Sequence, residues 1–256
     1  MAMEKDADVH DDQTPNFFDD VYDHLSGPEL RFSPFWLGAI LTFCTLLVVS
    51  AGLLTEWYLH AYGAETALKD LRHFNLNGEY SVPAWYASML LGVSFFLAAL
   101  TALFTAQEKR PFAFQWGFVA FCLLAMSLDE AAGFHETLID PLRATFNTSG
   151  ALYFAWVIPA ICALLLATVV LFSFFLALPF LYKVLFGGSA FLFFAGALGM
   201  ELVGGSLLTT YGEHSLHYIS GYVFEETLEL AGLTLLAPSL LSYIRRQFPK
   251  ARLVTA

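Results

Sequence analysis

A chain of 256 residues that is 57% hydrophobic, only 14% charged and carries 26 Phe, at a mean hydropathy of +0.61, is too apolar for a water-soluble domain. It belongs in a lipid bilayer. The same composition excludes a disordered chain, three Cys exclude a secreted disulfide scaffold, and a net charge of −11 excludes a nucleic-acid partner.

Nine of the 23 acids fall in residues 1–34, against Lys5 and Arg31 alone. Within that acidic segment Phe18, Val21, Tyr22 and Leu25 recur at helical spacing. They predict a short amphipathic helix on the membrane surface, although its acidic polar face suits anionic lipid poorly. No basic-then-apolar leader precedes the first apolar run, which is therefore expected to stay attached as a signal anchor.

Six apolar stretches follow, each long enough to cross a bilayer at about 20 residues. They are 35–57, 84–106, 112–138, 151–180, 187–208 and 218–244. The expected fold class is all-α: a polytopic six-helix transmembrane bundle over 35–244, preceded by the acidic segment 1–34 and followed by a basic tail, 245–256. Lys5, Arg31, Lys109, Arg110, Lys183, Arg245, Arg246, Lys250 and Arg252 fall on one side of this layout, and only Lys69, Arg72 and Arg143 on the other. The positive-inside bias places both termini in the cytoplasm.

Trp57, Tyr58, Trp85, Tyr86, Tyr211, Tyr218 and Tyr222 lie at the opposite helix ends and read as an interfacial aromatic belt. The 58–83 connection, with a turn at Asn75 to Gly78, is expected to cap the outer face. Asn147-Thr148-Ser149 matches the glycosylation acceptor pattern.

Seven carboxylates sit inside the apolar stretches: Asp129, Glu130 and Glu136 in the third, Glu201 in the fifth, and Glu225, Glu226 and Glu229 in the sixth. His135 joins them, and no Lys or Arg does. Each such acid costs about 2.5–3.5 kcal/mol on insertion scales, so seven uncompensated ones would cost on the order of 20 kcal/mol, above a typical fold stability of about 5–15. Protons, a bound cation or nearness to the interface must relieve that cost.

At about 1.5 Å per residue, Glu201 lies about 21 Å into its helix from residue 187, and Asp129 about 25 Å into the third. Glu225, Glu226 and Glu229 lie about 10–17 Å down the sixth from the outside, so all share the outer half of a core about 30 Å thick. The last three also fit one arc of about 100°. On the third stretch Asp129 and Glu136 nearly eclipse, whereas Glu130 and His135 fall on opposite flanks unless Gly133 bends the helix. Glycines 196, 199, 204 and 205 leave the surroundings of Glu201 thin enough for close helix approach.

Carboxylates with one imidazole and no thiolate suit Fe, Mn or Zn, as one ion or two. The expected ligands are Asp129, His135, Glu136, Glu201, Glu226 and Glu229, with Glu130 and Glu225 left for acid–base catalysis. In chemistry alone the layer resembles the di-metal carboxylate sites of helix bundles, without their paired Glu-x-x-His motifs. The leading expectation is a metal-dependent membrane oxidoreductase or hydrolase. It would activate water or dioxygen against a lipophilic small molecule that enters sideways from the membrane lipids. The alternatives are a transporter or channel for protons or divalent cations, and an accessory subunit of a homo-oligomer or larger membrane complex. The inner halves of the segments lack ionisable residues, which favours a closed site over a pathway.

Glu56, His60, His214 and His217 form a second tier near the outer ends, expected to be solvated rather than functional. Cys44, Cys122 and Cys162 read as small apolar packing groups, and the runs Phe172 to Phe175 and Phe191 to Phe194 as lipid-facing or packing surface.

Overall fold

The computed structural model describes residues 33–63 and 73–249. The predicted interfacial helix before residue 34 and most of the basic tail lie outside them. From Pro34 onward the chain forms one compact unit in which every regular element among the described residues is helical. In chain order these are α1 (Pro34–Tyr62), α2 (Val82–Gln107), α3 (Ala113–Ala132), α4 (Phe134–Phe146) and α5 (Val157–Ala177). There follow α6 (Phe180–Phe194), a π-helical turn (Ala195–Met200), α7 (Glu201–Tyr211) and α8 (Leu216–Gln247).

Five of the resulting helices are long and apolar enough to cross a membrane, counting 180–211 as one, and six are if the bent pair α3–α4 is a single span. The chain is a multi-pass helical membrane protein. One end of the bundle carries the 63–81 connection and the acids, and is called the acidic end below. The other carries Lys109, Arg110, Lys183, Arg245 and Arg246.

Two boundaries differ from the sequence reading. The third stretch does not run on to 138: α3 stops at Gly133 and α4 leaves it at 81°. Gly133 sits in the left-handed region, φ +62°, a conformation that costs an L side chain strain and a glycine little. The link expected at 181–186 is instead the pair Leu178-Pro179. Pro179 restarts the helix, as proline does near an N-terminus, and 180–186 are its first two turns.

α8 is the axis of the bundle, packing against α1, α2, α6 and α7. Small residues permit the approach, as is usual where the solvent is lipid and packing rather than the hydrophobic effect joins helices. Ala87, Leu90, Ala98, Leu230 and Ala237 are buried in the resulting core. Polar glue runs through it. Thr45 Oγ1 lies 2.6 Å from Thr234 Oγ1 and 3.0 Å from the Tyr86 hydroxyl, which itself donates to Leu41 O at 3.0 Å. Ser88 and Ser127 donate to each other's carbonyls at 2.8 and 2.9 Å, tying α2 to α3.

α5 is different. Only Val157 and Phe174 on it are buried. It stands off from α3 and α6, and two cavities fill the gap.

The aromatic belt is partly corrected. Trp57, Trp85 and Tyr211 are exposed as expected, but Tyr86, Tyr218 and Tyr222 are buried and turned inward. The capping role of the long connection agrees with its described part. Asn75 Oδ1 accepts from the Asn77 N–H at 2.7 Å to form the turn, and Leu76 is buried against Gly52 of α1.

Candidate metal centre

The bend at Gly133 builds the site's first half. Because α4 turns away, the Asp129 carboxylate reaches over its first turn and accepts from the His135 backbone N–H at 2.9 Å, as a capping side chain does. Its other oxygen is 2.8 Å from His135 Nδ1. A proton donated from Nδ1 to Asp129 leaves Nε2 as the free lone pair, the orienting arrangement found behind many histidine ligands. The same glycine makes room on its other side, where a Cβ would stand 3.1 Å from Glu79 Oε2.

Glu79, from the end of the 63–81 connection, places Oε1 4.0 Å from His135 Nε2. Its Oε2 is buried without a hydrogen-bond partner. Burial first, then the neighbouring charges of Glu136 and Asp129, push its carboxyl above the ordinary range, with His135 opposing. Glu79, His135 and Glu136 each offer one ligand atom within 4.8 Å of the others, the tightest such set among the described residues.

The second half comes from α7 and α8. Glu201 Oε1 accepts from Trp156 Nε1 at 2.7 Å, and the Trp156 ring lies 4.8 Å from the His135 ring, which joins the two halves. The Glu201 and Glu225 carboxyls are hydrogen-bond partners. Two carboxyl groups in contact cannot both keep a bare charge, so a proton or a cation must lie between them. Glu226 faces Glu130 and Glu79, and Glu229 faces Glu226 and Glu130. No described residue donates a hydrogen bond to Glu130, Glu226 or Glu229.

These groups line one cavity of about 390 Å³. All eight residues singled out from the sequence, Asp129, Glu130, His135, Glu136, Glu201, Glu225, Glu226 and Glu229, are on its wall. The straight-helix objection to Glu130 and His135 facing one point is removed by the bend. Three further wall residues escaped the sequence reading: Glu79, Trp156 and Tyr218. Glu79 stood in a connection where no helical period could orient it, and its adjacency to the Asn75 turn was the one available signal. No Lys or Arg among the described residues lines the cavity.

Close helix approach sets the depth of the layer. A Cβ on Gly196, in the π turn, would meet Glu229 Cγ at 2.6 Å and Glu225 O at 2.8 Å. The π turn and α8 thus touch backbone to backbone beside the two acids. π turns of this kind often mark functional sites.

Of the second tier, His60, His214 and His217 are exposed. Glu56 is not solvated as expected: it is buried, and Oε2 accepts from the Tyr222 hydroxyl at 2.6 Å.

A family profile described as a domain of unknown function (DUF8692) matches residues 39–243. No curated protein and no solved structure matches the chain.

Proposed function

We propose that this chain, which belongs to the DUF8692 family, is a metal-dependent membrane enzyme whose carboxylate and imidazole centre acts on a lipophilic substrate. The observation that carries the reading is the wall of the 390 Å³ cavity, where eight carboxylates and one imidazole meet no basic side chain among the described residues. In a medium where each unpaired charge costs several kcal/mol, such a wall calls for cations. Glu79, Glu136 and His135 Nε2 would hold the first, with Asp129 orienting the ring. Glu201, Glu226 and Glu229 are grouped to hold a second.

Oxygen donors with one nitrogen suit Fe, Mn or Zn, and such an ion supplies an activated water or dioxygen. Glu130 and Glu225 are then the carboxyls for proton transfer. Six spans with both termini cytoplasmic, the count and sense favoured by the basic residues, would put the centre in the outer half of the bilayer.

Metal analysis of the detergent-purified protein tests this. Stoichiometric transition metal is expected, lost in Glu79→Gln, His135→Gln and Glu136→Gln variants that still fold. Metal-free protein of full stability, prepared without chelator, would refute it.

A further inference from the structure

The acid-lined cavity has a neighbour. A second cavity, about 340 Å³, lies toward the basic end between α3, α5, α6 and α8. The two share Cys122, Met126, Leu164, Ala167, Phe193 and Phe194 as wall, so they are chambers with a common neck. The second chamber is apolar throughout its depth. Its two hydroxyls are already committed, Thr168 to Leu164 O and Ser189 to Gly232 O, each at 2.8 Å. Nothing in its wall asks for a polar occupant. Phe172 and Phe175 of α5 line it while being 59% and 38% exposed, and Ala190 of α6 is likewise exposed, so it opens between α5 and α6. At that depth the surrounding solvent is hydrocarbon.

We propose that the apolar chamber holds the tail of a single-chain membrane amphiphile while its head, carrying no negative charge, enters the carboxylate chamber. This deepens the reading above by naming its substrate class, and rests on it for the chemistry at the head. Size fits one chain: at roughly 30 Å³ per water-sized group, 340 Å³ holds about a dozen such groups. Length agrees, since the wall on α3 runs from Trp116 to Met126, about 15 Å at 1.5 Å per residue. Charge selects the head. Eight acids repel a fatty acid or a phosphate monoester and admit an alcohol or ester oxygen. The loosely packed α5 supplies a side entrance, so the occupant need not leave the membrane.

The test uses the full chain in phosphatidylcholine vesicles and a long-chain primary alcohol with a diazirine at its tail end. After photolysis, label is expected on 116–126, 164–178 and 186–194. Ala167→Trp, placed in the neck, should lower that labelling about tenfold, equivalent to about 1.4 kcal/mol or the burial of about two methylenes. Val169→Trp, on a lipid-facing position 75% exposed, should leave it unchanged. Metal content should survive both substitutions. Label spread equally over Leu165, Val169 and Phe191, and indifferent to Ala167→Trp, would show ordinary bilayer contact and overturn the proposal. A fatty acid of the same tail competing as well as the unlabelled alcohol would overturn the choice of head. A labelled chamber in metal-free protein would sink the metal centre and leave the tail site standing; bound metal with an unlabelled chamber would do the reverse.

Discussion

Gly196 is where the bundle has no slack, and adding one methyl there measures how tightly the acid layer is held. An alanine Cβ would stand 2.6 Å from Glu229 Cγ, 2.8 Å from Glu225 O and 3.2 Å from Glu229 N. Two of those three atoms are backbone, so relief requires the π turn and α8 to move apart. Overpacking of this kind costs about 1–3 kcal/mol, against which alanine recovers about 0.5–1 in helix propensity. The net expectation for Gly196→Ala is a loss of about 1–2 kcal/mol. Gly117→Ala on α3 is the control, because nothing lies within 4 Å of its Cβ. That variant should be neutral or gain about 0.5–1 kcal/mol. The gap between the two isolates the clash from propensity, and is read from unfolding curves in mixed micelles followed by circular dichroism. Equal stability of the two variants would refute the backbone-to-backbone contact and the acid layer built on it.

Thr45→Val should cost about 0.6–1.7 kcal/mol, the range measured for hydrogen bonds between membrane helices, while Thr45→Val with Thr234→Val should cost less than twice that. Additive losses in the same micelle unfolding assay would contradict the shared bond. In metal-stripped protein, stability should fall as pH rises from about 4.3 toward the raised folded value of Glu79. The native state there keeps a proton that the unfolded chain gives up. Glu79→Gln should flatten that part of the profile, and parallel profiles for the two proteins would remove Glu79 from its buried position. In a cysteine-free background, Arg246→Cys should react with an impermeant maleimide only after cell lysis and Glu213→Cys in intact cells. The reverse pattern would invert the topology.

The apolar stretches were legible because length and hydropathy survive any detail of packing, and the acid layer because depth follows from residue counts alone. Bends were not. Gly133 stands between Ala132 and Phe134 in a run whose apolar period continues, so only the left-handed φ reveals that α3 ends there. The π turn is silent for the same reason, since Ala195 to Met200 suit an α-helix equally well by composition. Inward turning of Tyr86, Tyr218 and Tyr222 was hidden by their position near helix ends, where an aromatic suits the interface as readily as the core. Glu79 and Trp156 belong to connections, and a side chain there is aimed by tertiary structure rather than by period.

The π turn carries a consequence in the currency of chain length. Relative to a continuous α-helix, the stretch from Phe180 to Tyr211 holds a surplus residue, stored between Ala195 and Met200. Everything before it and everything after it keep their own register, and the surplus sets the angle between them. Removing one residue from the turn would leave both flanks helical and swing Glu201 by about 100°, away from Trp156 and Glu225. A family member shorter by one residue at this place would therefore retain every acid in its sequence and lose the Glu201 contacts in space.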